Sequence, residues 1–199
     1  MNISSFNNKV SFLVINYPEN SDLWSRVSEY FKLRKRIFVD QLDWELYSAE
    51  GLEFEQYDNF ANTTYIVAIQ NNKVVAGARL RRTDSSYGSG LIKYSYMIRD
   101  ACIGLLPGLP RNLCYKVPPQ DEKIWELTRM VVVGPKEMTV RMLDVVNNFL
   151  VEQGATSCLF LGSPAFVRMA RNLDWPITTL GPICSNGSGR FQVFSCPTR

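Results

Sequence analysis

Apolar positions along this chain switch between two periods. Val10 to Asn16 is a short apolar run of strand length. From Leu23 to Phe38 the spacing becomes helical, with Val27, Tyr30, Phe31 and Phe38 on one stripe and Asn20 or Ser21 as the expected cap. Thr64–Gln70 and Lys73–Arg82 read as two strands joined by the turn pair Asn71-Asn72. In the second strand Val75, Gly77 and Arg79 share one face, and Ala76, Ala78 and Leu80 the other. A glycine inside a strand, here Gly77, marks close approach by a neighbour. Asp84–Gly90 is a polar loop, and Tyr94–Leu106 is predicted as a helix with Tyr94, Met97, Ile98, Ala101, Cys102 and Leu105 inward. Four prolines make Pro107–Gln120 a long loop. Then come a strand at Ile124–Val133, a helix at Glu137–Gln153 closed by Gly154, and a fully apolar strand at Cys158–Leu161. Ser163-Pro164 opens a further helix, and Ile177–Leu180 and Phe191–Phe194 are closing strands. An antiparallel hairpin followed by a strand–helix–strand crossover predicts an α/β sandwich of three layers, one mixed twisted sheet with helices on both faces.

Charges break this pattern in two places. Arg34 falls on the apolar stripe between Phe31 and Phe38, where a guanidinium is costly unless a carboxylate or ligand meets it. Trp44 follows, and then Glu53, Glu55 and Asp58 cluster around Tyr57. The plain alternative is an arginine that snorkels outward beside a solvated acidic loop. The second place is the strand IWELTRMVVV, where Glu126 and Arg129 interrupt an apolar run. Residues three apart on a straight strand point to opposite faces, so the two charges need separate partners unless a β-bulge turns both toward one cleft. The alternative is an edge strand with both charges solvated, which the apolar flank of Trp125, Leu127, Met130 and Val131 argues against.

Composition narrows the chemistry. With 199 residues, 46% of them hydrophobic, the chain can bury one sizeable core, and a single domain is expected. A net charge of +3 is too mild to point to nucleic acid. The segment Met1–Asn8 is polar and does not read as a leader, and no run reaches membrane-spanning length. The five cysteines are widely spaced with no CxxC pair, which supports neither a disulfide framework nor a metal site and fits a reducing cytoplasm. There is no histidine, so a general base must be a carboxylate, a tyrosine, a cysteine or a water held by one of these. Cys114 and Cys158 have no basic neighbours in the pattern and read as buried thiols. Of Arg79, Arg81 and Arg82, a possible phosphate clamp, Arg79 on the inward face carries the most interest.

The blocks LRKRIF with its following tryptophan, EFEQYD, VAGARL and WELTRMVV, in this order and spacing, resemble the acyl-homoserine lactone synthases, the autoinducer synthases of quorum-sensing bacteria. The resemblance runs from about residue 25 to residue 175 and rests on Arg34, Phe38, Trp44, Asp58, Arg79, Glu126 and Arg129. Two positions depart from it. Glu55 stands where that family usually has aspartate, and Cys102 where it tends to have an aromatic residue.

The resemblance implies a fold similar to the Gcn5-related acetyltransferases. It also implies a reaction between S-adenosylmethionine, a substrate rather than a cofactor, and an acyl thioester on acyl carrier protein or coenzyme A. The products would be an acyl-homoserine lactone, the carrier thiol and methylthioadenosine. No cofactor, metal, nucleic acid or membrane span is called for. In that setting Phe38 and Trp44 suit a sulfonium cation. Glu55 and Asp58 suit cationic groups or neighbouring arginines, and an arginine suits the methionine carboxylate; Arg34 and Arg79 count among the substrate-binding residues and Arg129, with Glu126, as catalytic. Glu126 is the expected base, acting through a water, with backbone N–H groups at a bulge for the oxyanion. The acyl group is expected between the Glu126 strand and Cys158–Leu161. There Phe160 replaces a threonine often found in members that take 3-oxo chains, which predicts a short or medium chain without that group, with Met130 and Met142 as the movable neighbours. Arg168 and Arg171 are a docking patch for an acidic carrier or, nearly as well, a solvated helix face. Two rivals remain. An ordinary acyl-coenzyme A N-acyltransferase would carry a Gly-rich phosphate loop where this chain reads VGPKEMTVRM. A non-catalytic acyl sensor would have no need of Glu126.

Overall fold

A computed structural model describes residues 10–59 and 61–199. The polar segment 1–8 considered above lies outside the described residues. Strand β1 (Ser11–Tyr17) leads through a 3-10 turn (Ser21–Leu23) into α1 (Trp24–Arg34). The helix then widens into a π-helical turn over Lys35–Gln41. A small hairpin of β2 (Ser48–Ala49) and β3 (Leu52–Glu53) precedes the long hairpin of β4 (Thr63–Gln70) and β5 (Lys73–Arg82). After these come α2 (Met97–Cys102), β6 (Ile124–Val132), α3 (Lys136–Glu152), β7 (Ser157–Gly162) and α4 (Pro164–Asn172). The chain ends in β8 (Thr178–Thr179), β9 (Cys184–Asn186) and β10 (Gly189–Pro197).

Seven strands lie in the order β1-β4-β5-β6-β7-β10-β8, and β9 pairs with β10 beside them. β6 and β7 are parallel; the neighbouring pairs are antiparallel. One face carries Ile66, Ala78, Leu80, Leu127 and Phe194 against α3 and α4. On the other, α1 packs on Ile15, Tyr65, Val67 and Val131, and α2 with its flanking loops packs on Leu159 and Val193. This is the mixed sheet with helices on both faces that the pattern predicts. Among the described residues no helix is long and apolar enough to cross a membrane.

Two irregularities position the site. Across β5 and β6 the register steps from Gly77↔Val131 to Arg79↔Thr128, so Arg129 and Met130 together oppose Ala78. That is the bulge the charged strand requires, and Arg129 adopts a left-handed φ of 53° to make it. On the other side of β6, pairing with β7 stops at Leu127↔Phe160 although β6 runs on to Val132, so the two strands part beyond that rung.

Local chemistry explains most boundaries. Asn71 and Asn72 both take positive φ, the condition for a two-residue hairpin turn. Ser163 accepts a hydrogen bond from Phe166 N–H with Pro164 behind it, an ordinary helix start. The helix expected through Leu23–Phe38 is regular only to Arg34; the π turn follows, with Leu42 N–H bonded five residues back to Ile37. Asn20 does not cap it through its side chain, because its Oδ1 accepts instead from Asn16 N–H. The helix expected over Tyr94–Leu106 shrinks to six residues, since Tyr94 pairs with Tyr87 as a β-bridge and Gly104 turns the chain at φ 84°.

Gly77 sits against Tyr30, where an added Cβ would lie 2.5 Å from a ring carbon. Tyr30 in turn donates its hydroxyl to Arg129 O at 2.6 Å and so braces the bulge. Gly77→Ala is expected to destabilise the protein by about 1–3 kcal/mol through overpacking. The check is the urea midpoint at unchanged m-value.

Candidate active site

The two charged stretches meet on the α1 face of the sheet. Arg34 leaves the last turn of α1, where Phe31 and Tyr30 lie within cation–π reach at 4.7 and 5.3 Å. Its guanidinium donates to both oxygens of Asp58 at 2.9 Å, and its Nε to Glu53. Arg79, from β5, donates to Glu55 and to Thr128 Oγ1, and its Nη1 lies 3.0 Å from Asp58 Oδ2. Arg129, turned by the bulge, reaches Glu55 at 2.7 Å and Glu53 at 3.3 Å. Three guanidinium groups and three carboxylates therefore form one plate. Each carboxylate touches two arginines, and Tyr65 OH adds a further bond to Asp58.

Exposure grades this plate. The side chains of Arg34 and Asp58 are fully buried, while Glu55 and Arg129 keep 16% and 10% of theirs accessible. Its back is sealed from solvent and its rim is partly accessible. The electrostatics agree. Burial works against Asp58, yet Arg79 and Arg34 hold it well below the usual carboxylate range. Glu55 is likewise lowered against burial by Arg129 and Arg79. Asp58 and Glu55 are ionised at neutral pH, and the plate is internally neutral.

Glu126 stands apart. It shares the inward face with Thr128 and pairs across the strand with Arg81, but among the described residues no arginine side chain bonds to it. Of the four residues expected to converge on one cleft, Arg34, Asp58 and Arg129 share the plate, and Glu126 lies on the same sheet face beside them without an ion pair of its own. Its two oxygens accept instead from Ile98 N–H at 2.7 Å and Met97 N–H at 3.1 Å, the first amides of α2. Burial pushes its carboxyl up to about 7 despite those two donors and the charge of Arg79. A group poised there can take and release a proton near neutral pH.

Phe38 is buried and stacks on half-buried Trp44, with centroids 5.0 Å apart and rings within 6° of parallel. Met130 and Phe160 lie on the other face of the sheet. Phe160 is opposed by Leu127, so it points away from Glu126 and stacks on Phe194 at 5.0 Å. Arg168 and Arg171 are exposed on α4. Arg81, set aside from sequence, is inward and buried like Arg79, whereas Arg82 is on the surface with Asp84. Burial raises the thiols of Cys114 and Cys158 above their ordinary value, in line with inert cysteines. Two groups carried no assigned role in the sequence reading, Glu53, named there only within the acidic cluster, and Asp100. Glu53 completes the plate and could have been found from the alternation of Glu53 and Glu55 on an extended segment. Asp100 carried no signal, since it sits in an ordinary helical pattern.

A sequence profile of the autoinducer synthases matches residues 19–188. An acyl-homoserine-lactone synthase of Aliivibrio fischeri (strain ATCC 700601 / ES114) is 28% identical over 194 residues, spanning 90% of this chain and 92% of its own length. One from Aeromonas hydrophila is 27% identical over 169 residues, 79% of this chain and 72% of that protein. Among solved structures, the CoA-dependent acyl-homoserine lactone synthase BjaI, with SAM and isopentyl-CoA, superposes with a TM-score of 0.78 at 20% identity, covering 96% of this chain and 84% of that one. A putative N-acetyltransferase from Lactobacillus plantarum superposes at 0.60 with 12% identity, covering 96% and 100%. The fold is thus shared with N-acetyltransferases.

Arg34→Met would leave Asp58 and Glu53 buried with one cation fewer. Breaking a buried pair from one side typically costs about 3–5 kcal/mol. The expected result is a loss of that size in chemical denaturation, against a much smaller one for the exposed Arg82→Met.

Proposed function

The chain belongs to the autoinducer synthase family, and from that premise we propose how its own residues carry the reaction. It is an acyltransferase that makes acyl-homoserine lactones for quorum sensing. S-Adenosylmethionine is the acceptor, and a thioester of acyl carrier protein or coenzyme A is the donor. The observation that carries the residue assignment is the β6 bulge, which turns Arg129 into the plate beside Glu55 while Glu126, three residues earlier, keeps the same inward face.

In this reading the rim does the binding. Arg129 takes the methionine carboxylate as a fork, and Glu55 meets a cationic group. Phe38 and Trp44 offer ring faces to the sulfonium. Arg34, Asp58 and Arg79 lie behind and keep the rim in place. The ammonium of the acceptor gives a proton to Glu126 through a bridging water. The freed amine attacks the thioester carbon, backbone N–H groups at the bulge stabilise the oxyanion, and the thiolate leaves and is protonated. The carboxylate then attacks the carbon bearing the sulfonium, and that carbon–sulfur bond breaks with its electron pair to methylthioadenosine. This second step is governed by placement more than by proton transfer. The whole chain acts as a single domain in the cytoplasm, with Arg168 and Arg171 as the docking patch for an acidic carrier.

Glu126→Gln is expected to lower turnover by roughly 10²–10⁴-fold, the usual share of a positioned base. The base works only when deprotonated, so kcat/KM in the wild type should rise with pH through about 7. That limb should vanish in the variant. Methylthioadenosine release is the readout, and it also separates this reaction from simple acyl-coenzyme A N-acyltransfer or acyl sensing. A wild-type rate in Glu126→Gln would put the base elsewhere.

The acyl chain enters where β6 and β7 part and turns toward α3 and α4. Phe160, Phe166 and Phe194 pack together there, and the cavity they help to line holds about 20 Å³, room for little more than a water. None of the three offers a hydrogen bond to a 3-oxo group, which buried unpaired would lose on the order of 1–3 kcal/mol. The expected substrate is a short or medium acyl chain without that group, reaching further only if Met130 or Met142 moves. Competition between matched acyl and 3-oxoacyl thioesters tests this; preference for the 3-oxo donor refutes it.

A further inference from the structure

Six residues of helix do not sustain themselves in water, yet the first two amides of α2 hold the carboxylate of Glu126. Besides the packing of Ile98 and Ala101 and the bond from Arg99 to Pro118 O, α2 is tied down by its own Asp100. It is wholly buried, and its Oδ2 accepts from Ser95 N–H at 2.9 Å and from Tyr57 OH at 2.7 Å. Tyr57 is 1% exposed and precedes Asp58 in the chain. The guanidinium of Arg79 lies 5.5 Å from its ring centroid. A continuous line of contacts thus runs from the arginine plate through Tyr57 and Asp100 to α2 and Glu126.

A tie needed only for folding would be cheaper if apolar. Asp100 is a carboxylate taken out of water with no cation bonded to it, and its Oδ1 has no hydrogen-bond partner among the described residues. The nearby Arg81 spends its Nε on Ser95 O instead. Burial raises Asp100 accordingly. Plate and base already share β6, but this is the side-chain route that links the plate to the amides holding Glu126, and a costly group kept on it indicates a function there.

We propose that Asp100 and Tyr57 are positioning residues that lock Glu126 to the arginine plate, so that the proton acceptor and the carboxylate-binding rim keep one geometry through the reaction. This rests on the reading of Glu126 as the base. Neither residue touches the substrates. They act through the α2 amides on one side and Arg79 on the other.

The test uses the full chain with three substitutions. In Tyr57→Phe the amides of Met97 and Ile98 should exchange with solvent about tenfold faster, the net worth of one hydrogen bond. Amides of β4 and β5 should be unchanged, which controls for general destabilisation. Asp100→Ala should behave in the same way. Asp100→Asn keeps an oxygen for both donors and should retain wild-type protection. In the kinetics, Tyr57→Phe should lower kcat with little change in the KM for the acyl donor. The acidic limb of kcat/KM should move to higher pH, because Glu126 loses donors that favour its charged form. The other titratable or charged groups facing Glu126 are Arg79 and Arg81 from β5, Cys158 from β7, Glu55 and Tyr57 from the loop, and Tyr96 before α2. A purely structural role would lower activity without moving that limb. Wild-type exchange at Met97 and Ile98 in Tyr57→Phe would overturn the proposal. If that variant fails to fold, equal exchange in Asp100→Asn and Asp100→Ala would do so. Exchange is read without turnover, so a failed tie is distinguishable from a failed base, which would show as a wild-type rate in Glu126→Gln.

Discussion

Everything around the site depends on keeping three arginines and three carboxylates out of water together. None of the six is tolerable alone at that depth. In company each carboxylate meets two guanidinium groups, and the sum of charges is zero. That condition recruits distant segments: the end of α1, the loop after β3, the middle of β5 and the bulge of β6. The plate therefore does for the α1 face what packed side chains do for the other face. It also fixes orientation more tightly than apolar packing would, because each fork has a defined direction.

The plate is graded rather than uniform, and the grading suits its use. A fully solvated cluster would be screened and loose, and a fully buried one could not reach a ligand. Here the most buried pair, Arg34 and Asp58, stiffens the partly exposed pair, Glu55 and Arg129. Glu126 lives under opposite rules. Kept from any direct arginine contact, it feels burial more than attraction, and two carboxylates on one sheet face end with different proton affinities. One protein surface thus supports both a permanent charge and an exchangeable one.

Where local chemistry decides a boundary, the amino-acid pattern was readable. Asn71-Asn72 make the hairpin, β5 starts and stops where alternation does, and Ser163-Pro164 start a helix. The need for a bulge between Glu126 and Arg129 was legible too, because two buried charges three residues apart cannot share a face otherwise. What stayed hidden depends on contacts far along the chain. α2 is short because Tyr94 pairs with Tyr87 ahead of it and Gly104 turns the chain behind it, and the acceptor for its first amides is Glu126, 28 residues away at Ile98. Glu53 belongs to the site because Arg129, 76 residues on, swings over to it. The π turn after Arg34 follows no apolar period; it brings Phe38 under Trp44. Phe160 faced away from the catalytic side because only the rung with Leu127 settles which way a strand residue points.

The left-handed backbone at Arg129 sets a limit on how this protein can be improved. A side chain there carries a conformational penalty on the order of 1 kcal/mol that glycine would not. Glycine would relieve that penalty but leave Glu53 and Glu55 with one guanidinium fewer, so the strained backbone is held in place by the charges it brings together. Relief of backbone strain and loss of ion pairing therefore oppose each other at a single residue, and the larger effect keeps arginine where the conformation alone would favour glycine.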